Sequence, residues 1–106
     1  MNAEFTAEYR KRFGSDPAED AADGFAAGQV LQAAVTAVGR IDQPALADWL
    51  RENQVPTILG PLRWAPTGEP QTTFMLAQWQ GGRVEVISPH EAATTDKVIF
   101  PKPAWR

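Results

Sequence analysis

Thr57-Ile58-Leu59-Gly60-Pro61-Leu62-Arg63-Trp64-Ala65-Pro66-Thr67-Gly68 is the stretch on which the fold turns. An apolar run from Thr57 to Leu59 meets a Gly-Pro break, resumes at Leu62 to Trp64, and ends in a Pro-Thr-Gly turn. Gly60 suits a backbone position with positive φ or close packing, and Pro61 has no N–H to give a sheet ladder. The expected local structure is short strand, kink, short strand, turn. Helical patterns precede this stretch and strand patterns follow it, so it is expected to join two unlike halves.

Upstream, Phe5, Tyr9 and Phe13 recur at i, i+4 and i+8, which predicts one aromatic face on a helix that stops at Gly14. A stripe of this kind is ordinarily core. Asp16-Pro17-Ala18-Glu19 then carries a capping-box pattern, with Asp16 as the expected cap and Pro17 in the first turn. The helix it opens is expected to run to Gly39 and to bury Ala27, Val30, Leu31, Ala34, Val35 and Val38. Gly24, Gly28 and the alanines are expected to allow close approach of a neighbour. Its opening is acidic, with Glu19, Asp20 and Asp23, and a helix start explains these through the dipole as readily as a ligand amino group does. Asp42 is expected to cap a third helix, Pro44 to Glu52, with Leu46, Trp49 and Leu50 on its apolar side.

Downstream, Thr73–Gln80 and Arg83–Ser88 flank Gly81-Gly82, a two-residue hairpin signal. Pairing across that turn sets Trp79 opposite Val84, Ala77 opposite Val86 and Met75 opposite Ser88 on one face. Gln80/Arg83, Gln78/Glu85 and Leu76/Ile87 form the other. The first face is expected to be the covered one, with Trp79 in a core position, as in a half-solvated ribbon. Pro101-Lys102-Pro103-Ala104-Trp105 reads as an extended tail whose terminal Trp105 favours cover.

Size and composition set the limits. A length of 106 residues, 43% apolar and 22% charged, describes at most one ordinary globular domain. The net charge of −3, with no basic cluster longer than Arg10-Lys11-Arg12, argues against nucleic acid. No cysteine is present, which removes disulfides and thiolate chemistry. No apolar run is long enough to span a membrane, and Met1–Phe5 lacks the basic and apolar regions of a signal peptide. His90 is the single histidine and sits between Pro89 and Glu91, so neither a metal site nor a Ser/His/Asp arrangement is expected. Gly81-Gly82 lacks the Lys and Ser/Thr of a phosphate loop. No enzyme and no cofactor are expected.

The ordered set Phe5…Tyr9…Phe13-Gly14, Ala21-Ala22-Asp23-Gly24-Phe25-Ala26-Ala27, Asp42…Leu46…Leu50, Thr57–Trp64…Gly68, Gln78-Trp79-Gln80-Gly81-Gly82-Arg83 and Pro101–Trp105 carries a resemblance. It resembles the C-terminal third of the type I periplasmic binding proteins, the substrate-binding subunits of ABC importers for leucine, isoleucine, valine and related amino acids. The resemblance covers nearly the whole chain. It implies an α/β chain with a partial type I fold: three helices, a short strand and a C-terminal β-hairpin. Residues 1–106 would be one domain, with 1–74 belonging to a first lobe and 75–106 forming a recrossing strand, hairpin and tail. It further implies an end piece of a larger two-lobed protein, a periplasmic setting, an amino-acid ligand and an ABC permease as partner.

The ligand residues implied by the resemblance are Asp20, Asp23 and Phe25. The segment before the Phe25-like aromatic faces the family's cleft, and the position about five residues earlier contacts the ligand side chain. An apolar residue there would suit a branched-chain ligand; Asp20 departs from that and suits a ligand with a donor or positive group. The competing expectation is a homo-oligomeric interaction protein without ligand, because apolar faces and sheet edges on so short a chain invite self-association.

Overall fold

The computed structural model describes residues 1–72 and 74–104. Three helices and two small antiparallel strand pairs make a mixed α/β architecture. The chain divides into two compact units, residues 1–72 and 73–106. The expectations for Thr73 and Trp105 fall outside the described residues.

In the first unit, α1 spans Asn2–Phe13, α2 Glu19–Val38 and α3 Gln43–Glu52. Gly14 and Gly39 end α1 and α2 in the left-handed conformation, at φ 73° and 75°, where a side chain would be strained. Asp42 caps α3 as expected, its carboxylate accepting the Ala45 N–H at 3.1 Å. Asp16 does not cap α2. That helix starts at Glu19, behind Ala18 with no side-chain cap, while Asp16 reaches back to pair with Arg10 of α1. A charged partner outcompetes a backbone N–H for the same carboxylate. Of the expected α2 stripe, Ala34 is buried and Val30, Val35 and Val38 are half-buried, but the covered face is rotated toward Ala26, which is buried, and Ala27 and Leu31 are exposed. Gly24 and Gly28 face open space, with nothing within 4 Å of an added Cβ, so they serve no close approach.

The organising stretch forms a hairpin one step earlier than its sequence suggests. β1 is Val55–Thr57 and β2 is Gly60–Leu62, so the apolar pair Ile58-Leu59 makes the turn. Gly60 adopts φ 99°, as its place in the turn requires. Pro61 lies within β2 rather than breaking it, because it stands opposite Pro56. Thr57 and Gly60 flank a two-residue turn and form a hydrogen-bonded pair, so the next pair is a non-bonded one. Two prolines there cost the ladder nothing. Beyond β2, Trp64 bridges Pro70 around a turn closed by Gly68 N–H to the Ala65 carbonyl at 2.8 Å.

The core of this unit is small: Ala26, Ala34, Leu46, Val55 and Ile58, with α2 packed on β1 and α3. Thr57 is the buried polar side chain among them, 3% exposed. Its hydroxyl donates to the Gly60 carbonyl at 2.7 Å and accepts the Leu59 N–H at 3.1 Å, so the turn is locked from inside.

In the second unit, β3 (Leu76–Gln80) and β4 (Arg83–Ser88) pair around Gly81-Gly82. Trp79/Val84, Ala77/Val86, Gln78/Glu85 and Gln80/Arg83 are opposed as expected. A bulge follows: Leu76, not Met75, faces Ser88, which displaces the expected Leu76/Ile87 pair. The covered face is the polar one. Gln78 donates to the Ile99 carbonyl and accepts the Ile99 N–H, both at 2.9 Å, and Gln80 donates to the Lys97 carbonyl at 2.7 Å. Trp79, expected in a core, is 74% exposed. No described residue of this unit is buried.

Candidate functional site

Two grooves flank α2 within the first unit, and its helical geometry decides which residue enters which. At about 100° per residue, Asp23 and Phe25 lie about 200° apart around the axis. Phe25 accordingly enters one groove and Asp23 lines the other. Asp20, in the first turn, is exposed and lines neither. The three residues therefore share the opening of one helix without converging on one cavity. Asp20 has no hydrogen-bond or ion-pair partner among the described residues.

The first groove, about 620 Å³, is walled by the aromatic stripe of α1 on one side and by Phe25 and Gln29 of α2 on the other. Phe5 and Phe25 meet at 4.8 Å between ring centroids, and Tyr9 and Phe13 at 4.5 Å, all in tilted arrangements. Phe13 remains 65% exposed and Phe25 49%. The stripe read as core from its periodicity is thus a groove wall. At the groove floor, Ile58 of the β1–β2 turn is tied to both helices: its N–H donates to the Gln29 side-chain oxygen at 2.9 Å, and its carbonyl accepts the Asn2 side-chain amide at 3.0 Å. The roles of Gln29 and Asn2 had no signal in the sequence, since both bonds join positions far apart in the chain.

The second groove, about 400 Å³, is almost wholly apolar: Val30, Leu31 and Ala34 of α2, Leu46 and Leu50 of α3, and Leu59, Leu62 and Trp64, with Asp23 at its rim. Such a lining buries apolar surface and places one carboxylate at the edge.

Charges are arranged along the surface rather than gathered. Accepting the Arg10 guanidinium hydrogen bond holds the Asp16 carboxyl below its ordinary range. The Ala45 N–H, and then Arg40 at 3.1 Å, lower Asp42 likewise. Among the described residues no group of three or more His, Asp or Glu is placed to hold a metal ion, and no helix is long and apolar enough to cross a membrane. His90 sits exposed in a short 3₁₀ turn, His90–Ala92.

Comparison with known proteins adds to this geometry. The sequence model of the periplasmic binding protein family matches residues 1–83. No curated protein matches the chain. The fold is similar to the crystal structure of an ABC transporter protein from Rhodopseudomonas palustris, with a TM-score of 0.62 over 74% of this chain at 20% identity. The chain spans 24% of that protein, about a quarter of its length. The three helices, the short strand that follows them and the matched residues 1–83 agree, and the chain belongs to the periplasmic binding protein family.

Proposed function

We propose that this chain is a segment of the substrate-binding component of an ABC importer, working in the periplasm with a permease and taking an amino acid or a related small molecule. Residues 1–74 supply first-lobe elements and 75–106 the recrossing strand, hairpin and tail. Ligand contact falls to the opening of α2, at Asp20, Asp23 and Phe25, and the role is binding without catalysis. The observation that carries this reading is the family match across residues 1–83, which includes all three helices. Asp20, exposed and unpartnered among the described residues, favours a ligand with a cationic or donor end over a branched-chain one.

Ligand sites of this class enclose most of the ligand surface, and one helix opening offers a single wall. Calorimetric titration of the 106-residue chain with leucine, valine, arginine and glutamate is therefore expected to show no micromolar binding. Amide shifts in a labelled sample, read at millimolar amino acid, are expected to move at Asp20–Phe25, and further with arginine than with leucine. A micromolar dissociation constant refutes the single-wall argument, and shifts confined to another part of the chain refute the assignment of Asp20, Asp23 and Phe25. A second reading, self-association without ligand, is favoured by one observation: the hairpin leaves Leu76, Trp79 and Val84 exposed.

A further inference from the structure

The two helices that wall the first groove grip the same residue. On α2, the Gln29 side-chain oxygen accepts the Ile58 N–H at 2.9 Å; on α1, the Asn2 side-chain amide donates to the Ile58 carbonyl at 3.0 Å. Each carboxamide stands about one turn from a phenylalanine on its own helix. Gln29 follows Phe25 by four residues and Asn2 precedes Phe5 by three, spacings that share a helix face. The two rings meet at 4.8 Å between centroids. Every partner in this arrangement lies within residues 1–72, the first compact unit.

Packing alone leaves the fine setting of α2 loose. β1 and α3 cover the face of Ala26 and Ala34, but alanine side chains are short and apolar burial is non-directional. A small swing about the helix axis costs such a face little. It costs Phe25 a great deal: with the ring about 5 Å from the axis, a swing of about 30° displaces it by about 3 Å. A hydrogen bond, by contrast, has a required direction. Among the described residues, Gln29 is the only α2 side chain that hydrogen-bonds another element. Its partner is buried, Ile58 being 5% exposed, and a buried N–H left without an acceptor is costly.

We propose that Gln29 is the positioning residue for Phe25: by accepting the Ile58 N–H it sets the rotation of α2 and aims the Phe25 ring into the first groove, against Phe5. This rests on the reading that gives Phe25 ligand contact, and names what holds that contact in place. Gln29 acts through Phe25, and Asn2 does the corresponding work for Phe5 on α1.

The test is nuclear magnetic resonance on the full labelled chain. Gln29→Met keeps the length of the side chain and removes the acceptor oxygen; Gln29→Glu restores the acceptor. With methionine, the Ile58 amide is expected to exchange with solvent about tenfold faster, as loss of one hydrogen bond implies. The Overhauser contacts between the Phe5 and Phe25 rings are expected to be lost with it, and both signals to return with glutamate. Asn2→Ala is the second variant: it is expected to free Phe5 from Phe25 and to leave the Ile58 amide protected. At millimolar arginine, the shift at Phe25 is expected to be lost in Gln29→Met and kept in Gln29→Glu. Ring contacts that persist in Gln29→Met show that packing aims Phe25 and overturn the proposal, as does a loss that glutamate does not restore. Release of the Ile58 amide by Asn2→Ala overturns it too. A wild type without an arginine shift at Asp20–Phe25 overturns the ligand reading instead, and the ring contacts still decide whether Gln29 aims Phe25.

Discussion

Replacing Thr57 with valine changes almost nothing in shape and removes the hydroxyl that locks the β1–β2 turn. Thr57 is 3% exposed, and its oxygen makes two bonds, to the Gly60 carbonyl at 2.7 Å and from the Leu59 N–H at 3.1 Å. A net contribution of about 1 kcal/mol per bond sets the loss near 2 kcal/mol. The partial exposure of Gly60 and Leu59 lets water recover some of it, and an added buried methyl group recovers more. An expected cost of about 1–2 kcal/mol remains, or a melting midpoint lower by roughly 10 °C for a unit of this size. Thr57→Ser is the control: it keeps both bonds and loses one methyl, about 0.8 kcal/mol. Urea unfolding followed by Trp64 and Trp49 fluorescence, with the m-value held constant, separates the two. If valine proves as stable as threonine, or more stable than serine, then burial rather than hydrogen bonding holds the turn, and the reasoning fails.

Two further outcomes follow from the first unit. Gly24→Ala and Gly28→Ala sit mid-helix with open space at the added Cβ, so each is expected to stabilise by about 1 kcal/mol in thermal melts; a loss would mean that something covers that face in solution. Asp42 has its folded-state pKa lowered, so its stabilisation is present above the unfolded carboxylate value, about 4, and fades as pH falls through the folded value. Asp42→Asn can still cap but cannot titrate, so its stability is expected to vary less than the wild type's across that acidic window, as measured by denaturation at stepped pH.

How much of this was legible depended on the range of the signal. Gly14, Gly39 and Asp42 mark helix ends by local backbone chemistry, and all three stand where the sequence placed them. The hairpin register from Gly81-Gly82 held for four pairs because a two-residue turn fixes it. The phase of α2 was not legible. Alanine and glycine occur all round that helix, so composition does not single out a face, and the choice of Ala26 over Ala27 is made by β1 and α3. Pro61 misled for a related reason: proline forbids a ladder bond, but only at positions where the ladder asks for one, and that parity is set by the turn.

The same distinction explains the candidate site. Periodicity assigns residues to faces, but only a long-range partner decides which face is covered. In the hairpin, alternation correctly grouped Trp79 with Val84, yet the face that gained cover was the one bearing Gln78 and Gln80. The segment from Lys97 to Ile99 needs partners for its backbone groups, and a primary amide offers both a donor and an acceptor where tryptophan offers one donor. In α1, the period of four grouped Phe5, Tyr9 and Phe13 with equal success, and there the partner is a single ring, Phe25, plus a turn residue, Ile58. One ring and one aliphatic side chain cannot close over three aromatics, so the stripe stays a groove wall. Asp23, only two residues from Phe25, falls by the same helical arithmetic on the opposite side. The aromatic groove and the carboxylate-rimmed groove are therefore separate surfaces of one helix, and Asp20, at its exposed opening, lines neither.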